Sequence, residues 1–89
     1  MRKQQESVLK ESLRVLALKT RDRLDVTQKD MAIKFSMSDT AYSDIETGVS
    51  MCSTLTAILL LIEQDDPGIF LNEMKGKFEE LYEKEMENK

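Results

Sequence analysis

The chain has 89 residues, enough for one domain that buries roughly 60–70% of the surface its unfolded form exposes. A hydrophobic content of 40% against a charged content of 34% excludes an intrinsically disordered chain, and the longest apolar run, Ala57 to Ile62, falls far short of the ~20 residues a membrane-spanning helix needs. With one cysteine, Cys52, and no histidine, an intramolecular disulfide, zinc-ligand spacing and the usual thiol or imidazole catalysts are absent, so no enzyme, metal or cofactor is expected.

The net charge of −4 is unevenly placed, +2 over residues 1 to 45 and −6 over residues 46 to 89. That balance argues against indiscriminate nucleic-acid binding but leaves local contact open, because the field at the contact governs it. Met1-Arg2-Lys3-Gln4-Gln5-Glu6 leads into charged sequence rather than an apolar leader, so a cytoplasmic location is expected.

From about Gln5 to Leu24 the spacing predicts one long helix, with Leu9, Leu13, Leu16, Ala17 and Leu24 near one face and Glu6 and Lys10 as an i, i+4 pair. A second helix is predicted to start at Thr27, whose hydroxyl can cap it, with Asp30 as the acidic member of a capping-box-like pair. A third starts the same way at Ser38 and stops near Gly48. Met31, Phe35, Met37, Tyr42 and Ile45 form one apolar set with Ala32 between them, and Tyr42 is expected to carry its hydroxyl to the rim. Only Ser36 and Met37 remain between the two short helices, which must therefore cross steeply and leave the third prominent on the surface.

Past Gly48 a loop, Val49-Ser50-Met51-Cys52, leads to Ser53, the cap of a fourth helix running to about Gln64, with Cys52 read as structural filler. Its run AILLLI is wider than one stripe and predicts burial on more than one side. Asp65-Asp66-Pro67-Gly68 is the clearest break. With Asp66 as cap and Pro67 in the first turn, a fifth helix is predicted from about Pro67 to Asn88, bearing Phe70, Leu71, Met74, Phe78, Leu81 and Tyr82. The organisation read this way is an N-terminal extension (1–12), a middle unit (13–66) and a C-terminal amphipathic helix (67–89). The stripe Phe70, Met74, Phe78, Leu81 has few places left to bury itself, and a partner helix in a homodimer is expected to cover it. Folding back over the first and fourth helices, or packing against the N-terminal extension, is the alternative.

The stretch Val26 to Gly48, VTQKDMAIKFSMSDTAYSDIETG, resembles the helix-turn-helix of the Xre/Cro, lambda-repressor-like DNA-binding domains. The matching features are Thr27-Gln28 at the first helix start, small Ala32, apolar Met37 after the turn, the Ser38 cap, Ser43, Ile45, and Glu46 two residues before Gly48. The resemblance, which begins only near Leu13, implies an all-α, five-helix fold, to which residues 1–12 add an extension of the first helix and residues 67–89 a fifth helix longer than the family's usual one. It also implies a transcriptional regulator, a repressor by expectation, that binds a palindromic double-stranded DNA operator as a homodimer. Its two recognition helices would enter successive major grooves roughly 34–36 Å apart.

Carried over residue by residue, the resemblance places Thr27 and Gln28 on the DNA backbone, with Gln28 also bracing the reading helix. Ser38 stands at that helix's head, Asp39, Thr40, Ser43 and Asp44 face the major groove, and Thr47 lies near phosphate. Arg21 would pair with Glu46 and tie the first helix to the end of the third. Asp39 and Asp44 depart from the family pattern, which commonly has basic or amide side chains there. A carboxylate can accept from cytosine N4, but it also repels phosphate. Counter-charge could come from Lys19, Arg23, Lys29 and Lys34, and Ser36 replaces a frequent turn glycine. The competing reading is a protein-interaction module, such as an antitoxin-like or phage-derived adaptor, whose acidic half grips a protein partner.

Overall fold

Good helix formers at positions 2 to 6, with no glycine or proline among them, carry the first helix back to Arg2. The structure is a computed structural model describing residues 1–87, which form five helices and, among those residues, no strand. They are α1 (Arg2–Leu24), α2 (Gln28–Lys34), α3 (Asp39–Glu46), α4 (Thr54–Ile62) and α5 (Pro67–Glu87). The predicted end of the last helix at Asn88 lies outside the described residues. Among those described, no helix is long and apolar enough to cross a membrane.

Local chemistry sets the helix ends. α1 closes at Asp25, in the left-handed region at φ 55 and ψ 50, a conformation that a short polar side chain tolerates better than most. In α2 the Thr27 hydroxyl accepts from the Asp30 N–H and the Asp30 carboxylate accepts from the Thr27 N–H, both at 3.1 Å. The bond from the Thr27 N–H first, and the neighbouring Thr27 hydroxyl second, hold the Asp30 carboxyl below its ordinary pKa. Ser38 and Ser53 cap α3 and α4 by accepting from Ala41 N–H and Thr56 N–H, and Asp66 accepts from Gly68 N–H at the head of α5.

The corner between α2 and α3 is a Schellman closure. Met37 N–H bonds back to the Ala32 carbonyl at 2.9 Å and Ser36 N–H to that of Ile33 at 3.1 Å, with Ser36 at φ 57. A serine thus occupies a left-handed position that glycine would fill without strain.

The core collects Leu13 and Ala17 from α1, Met31 and Ala32 from α2, Phe35 from the corner, Tyr42 and Ile45 from α3, Cys52 from the loop, Leu60 from α4, and Phe70 and Met74 from α5. Phe35 and Tyr42 meet with ring centroids 6.2 Å apart at 54°.

Three expectations are corrected. Tyr42 does not reach the rim: it is 0% exposed, and its hydroxyl has no partner in hydrogen-bonding geometry. Its ring lies in the junction of α1 and α3, which Arg21 and Glu46 draw together one turn further on. Phe70 and Met74 are not free for a partner copy, because they lie in the monomer core. The long α1 supplies the cover: Phe78 packs on the core and shares a groove with Arg2, Gln5 and Leu9, while Lys77 donates to Ser12 at 3.0 Å. Leu81 remains half-buried beyond them. Finally, α4 is wide in its burial but leaves one face open. Thr56 and Leu60 face inward and Ala57, Leu59 and Leu61 pack partly against the core, whereas Leu55, Ile58 and Ile62 are 66%, 49% and 68% exposed. The helix also ends at Ile62, two residues short of the predicted end.

Two stability measurements check this packing. By urea unfolding, Met74→Ala is expected to lower stability by about 2–4 kcal/mol and Leu71→Ala, at an exposed position of the same helix, by less than about 0.5 kcal/mol. Ser36→Gly relieves the left-handed strain and is expected to raise stability by up to about 1 kcal/mol, where an ordinary helical site would lose stability to glycine.

Candidate functional site

Glu46, at the end of α3, is the most deeply buried charged group in the ion pairs of the described residues, its side chain 2% exposed. Three donors answer it from two other helix ends. Arg21, near the end of α1, forks onto both carboxylate oxygens, Nε to Oε2 at 2.7 Å and Nη2 to Oε1 at 3.0 Å, and Gln28, at the start of α2, donates its amide to Oε1 at 3.0 Å. Arg21 also reaches the Val26 carbonyl at 3.4 Å. The cluster therefore joins α1, the α1–α2 link, α2 and α3 at one point.

Burial by itself would raise the Glu46 carboxyl, but the Arg21 fork, the nearby Tyr42 hydroxyl and the Gln28 amide outweigh it and hold the group below the ordinary Glu value. Donating to the Glu46 carboxylate raises Arg21 further above its already high value. Tyr42 is pushed upward, by burial first and then by the Glu46 carboxylate beside it, so its hydroxyl stays protonated.

Opposite this anchored end lies the open head of α3. Ser38, Asp39 and Thr40 are exposed, Ser43 and Asp44 half-buried, and Thr47 exposed at the far end. Thr27 is exposed and Gln28 half-buried at the start of α2. The hydroxyls are not equally free. Those of Thr27 and Ser38 accept capping bonds and keep their protons for another partner, whereas Thr47 donates to the Ser43 carbonyl at 3.0 Å. Phosphate could claim the Thr47 proton only by breaking that bond.

Charge around this head is mixed. From Thr27 to Gly48 two lysines stand against four carboxylates. Lys34 is drawn to Glu63 at 3.2 Å, and Arg23 donates to the Glu63 backbone carbonyl. Lys19 and Lys29 are exposed, and among the described residues neither they nor Asp39 nor Asp44 are in an ion pair. A basic rim exists only as separate points.

Sequence reasoning missed the partners of two polar residues. Thr20 is buried on the Leu13–Ala17 face, and its hydroxyl accepts from the Gln64 amide at 2.8 Å. The spacing 13, 17, 20 carried that signal, since it continues the inward stripe. Glu63 as the holder of Lys34 and Arg23 has no local signal, because its partners lie on α2 and α1. Among the described residues no group of three Cys, Asp or Glu side chains is placed to hold a metal ion. Comparison with protein-family models, with curated proteins and with solved structures finds no match to this chain.

Breaking the cluster from one side leaves a buried carboxylate undercompensated, so Arg21→Ala is expected to cost about 3 kcal/mol in urea unfolding. The pH dependence follows in sign. A folded-state pKa held below the unfolded 4.5 contributes stability that is complete above that value and is lost as pH falls through the lowered folded value. The advantage of the wild type over Glu46→Gln should therefore be constant near neutrality and shrink below about pH 4.5; an advantage that grows on acidification contradicts the assignment.

Proposed function

We propose that this chain is a lambda-repressor-like helix-turn-helix protein of the Xre/Cro type. Its function on this reading is sequence-specific binding of double-stranded DNA as a homodimer, repressing transcription by occupying a palindromic operator. The observation that carries the reading is the two-sidedness of α3. Its tail is clamped through Glu46 to α1 and α2, while its first turn, Ser38, Asp39 and Thr40, stands open to solvent. A helix held at a fixed angle with a free leading turn is what insertion into a major groove requires.

In this mechanism the open turn enters the groove. Thr40 and Ser43 offer hydroxyls to base edges, and Asp39 and Asp44 accept from cytosine amino groups. Thr27, through its free hydroxyl proton, and Gln28 fix the register on phosphate oxygens, and exposed Lys29 supplies counter-charge. Gln28 has a double part, since the amide that would touch DNA also braces Glu46. No cofactor enters. One observation favours the second reading, a protein-interaction module: four carboxylates against two lysines from Thr27 to Gly48 weaken the phosphate attraction on which non-specific DNA binding depends.

Selection of bound fragments from a random duplex pool, at about 50 mM and about 200 mM salt, separates the two. The regulator enriches two inverted half-sites about 10 base pairs apart and loses affinity with salt. A pool unenriched at both salts removes the regulator and leaves the interaction module. On an enriched site, Gln28→Ala should weaken all sequences alike. Asp44→Asn should alter base preference at one position per half-site while strengthening non-specific binding.

A further inference from the structure

α1 and α5 pack side by side, and the cleft between them is not closed along its whole length. Two hollows of about 300 and about 110 Å³ share Leu16, Lys19, Phe70 and Glu73 as walls and so form one groove, at the lower end of the size range of small-molecule sites. Leu16 and Phe70, with Ile69 beside them, give it an apolar lining. Toward one end Lys77 bonds to Glu73 and to Ser12, both at 3.0 Å. At the other end stand Lys19 and Arg23 on α1 and Asp65 and Asp66 on the link between α4 and α5, all exposed. Among the described residues none of these four is in an ion pair. We propose that this groove binds a free α-amino acid with an apolar side chain, its carboxylate on Lys19 and Arg23, its ammonium on Asp65 and Asp66, and its side chain on Leu16 and Phe70.

Three observations select that class of ligand. The first is charge balance. Glu73 is committed to Lys77 and Glu11 to Arg14, so the uncommitted charges of the groove are two cations from α1 and two carboxylates from the link. A ligand of single charge answers one pair and is repelled by the other, whereas a zwitterion answers both. The second is hydrogen-bonding capacity. Gln64 spends both amide protons, on the Thr20 hydroxyl and the Leu60 carbonyl at 2.8 Å each, which leaves its carbonyl oxygen to accept from an ammonium. Arg23 donates to the Glu63 backbone carbonyl, a bond that holds its guanidinium in place and leaves further N–H groups for a carboxylate. Asp66 caps α5 through Oδ1 and keeps its other oxygen. The third is the apolar lining, which gives a side chain somewhere to go beside the two charged ends. The interior of a peptide has neither a free ammonium nor a free carboxylate and would leave all four charges unanswered.

This site goes beyond the DNA-binding reading. It shares no residue with α2 or the head of α3 and is measured without DNA, so either can fail while the other stands.

The test is a titration of the full, isotope-labelled chain with L-leucine to about 20 mM at neutral pH, read by two-dimensional NMR. The expected result is a saturable shift of the amides around the groove, with a Kd in the millimolar range because so small a molecule makes few contacts in an open groove. Isocaproate, which lacks the ammonium, and isoamylamine, which lacks the carboxylate, should each bind about fivefold more weakly, and glycine, which lacks the side chain, should leave the groove unshifted. Lys19→Gln should weaken L-leucine about threefold, and D65N/D66N as much, since asparagine at 66 retains the cap of α5. No saturable shift at the groove, or isocaproate, isoamylamine or glycine binding as tightly as L-leucine, overturns the proposal. So does an unchanged Kd in either variant. If a variant fails to fold, the comparison of the four compounds on the wild type decides.

Discussion

A carboxylate taken almost wholly out of water is costly unless every oxygen is answered. In this protein the carboxylate is Glu46, and the groups answering it, the Arg21 fork and the Gln28 amide, come from two other helix ends. Three helices of 23, 7 and 8 residues are thereby held at one point, although the two short ones are below the length at which a helix is stable alone. An apolar contact of equal area could slide. A two-pronged guanidinium–carboxylate contact cannot slide without losing a hydrogen bond, so it determines the angle as well as the attachment.

The same constraint shapes what remains at the surface. With its tail locked and Tyr42 and Ile45 turned inward, α3 has only its head and outer flank to offer. Some of the polar groups there are committed to capping, so the residues free to recognise a partner are fewer than the count of hydroxyls implies. The buried Tyr42 hydroxyl is the counterpart inside: it stands beside the Glu46 carboxylate while its ring packs on Phe35.

Away from this junction the fold solves a second problem. The 23 residues of α1 and the 21 of α5 are long for a chain of this size, and each covers the apolar stripe of the other, which draws the molecule out to 47 × 26 × 19 Å. Lys77, paired with Glu73 and donating to Ser12, marks the middle of that contact. The arrangement takes Phe70 and Met74 into the core of one chain and leaves Leu55, Ile58 and Ile62 of α4 among the exposed apolar side chains.

The sequence by itself determined the number of helices, the starts marked by a capping side chain or a first-turn proline, and which side of each of the first three turns inward. These features are local: a hydroxyl three residues before the amide it caps, a proline in a first turn, an apolar residue every third or fourth position. The Arg21–Glu46 contact could be anticipated from the family resemblance, not from spacing. Only the tertiary structure decided what covers each apolar face. Periodicity states that Phe70, Met74, Ile58 and Ile62 belong on inward-looking stripes, but not whether α1, or anything in the same chain, arrives to meet them. The burial of Tyr42, the core placement of Phe70 and Met74, and the exposure of α4 all follow from where distant helices lie, and that depends on contacts between residues tens of positions apart.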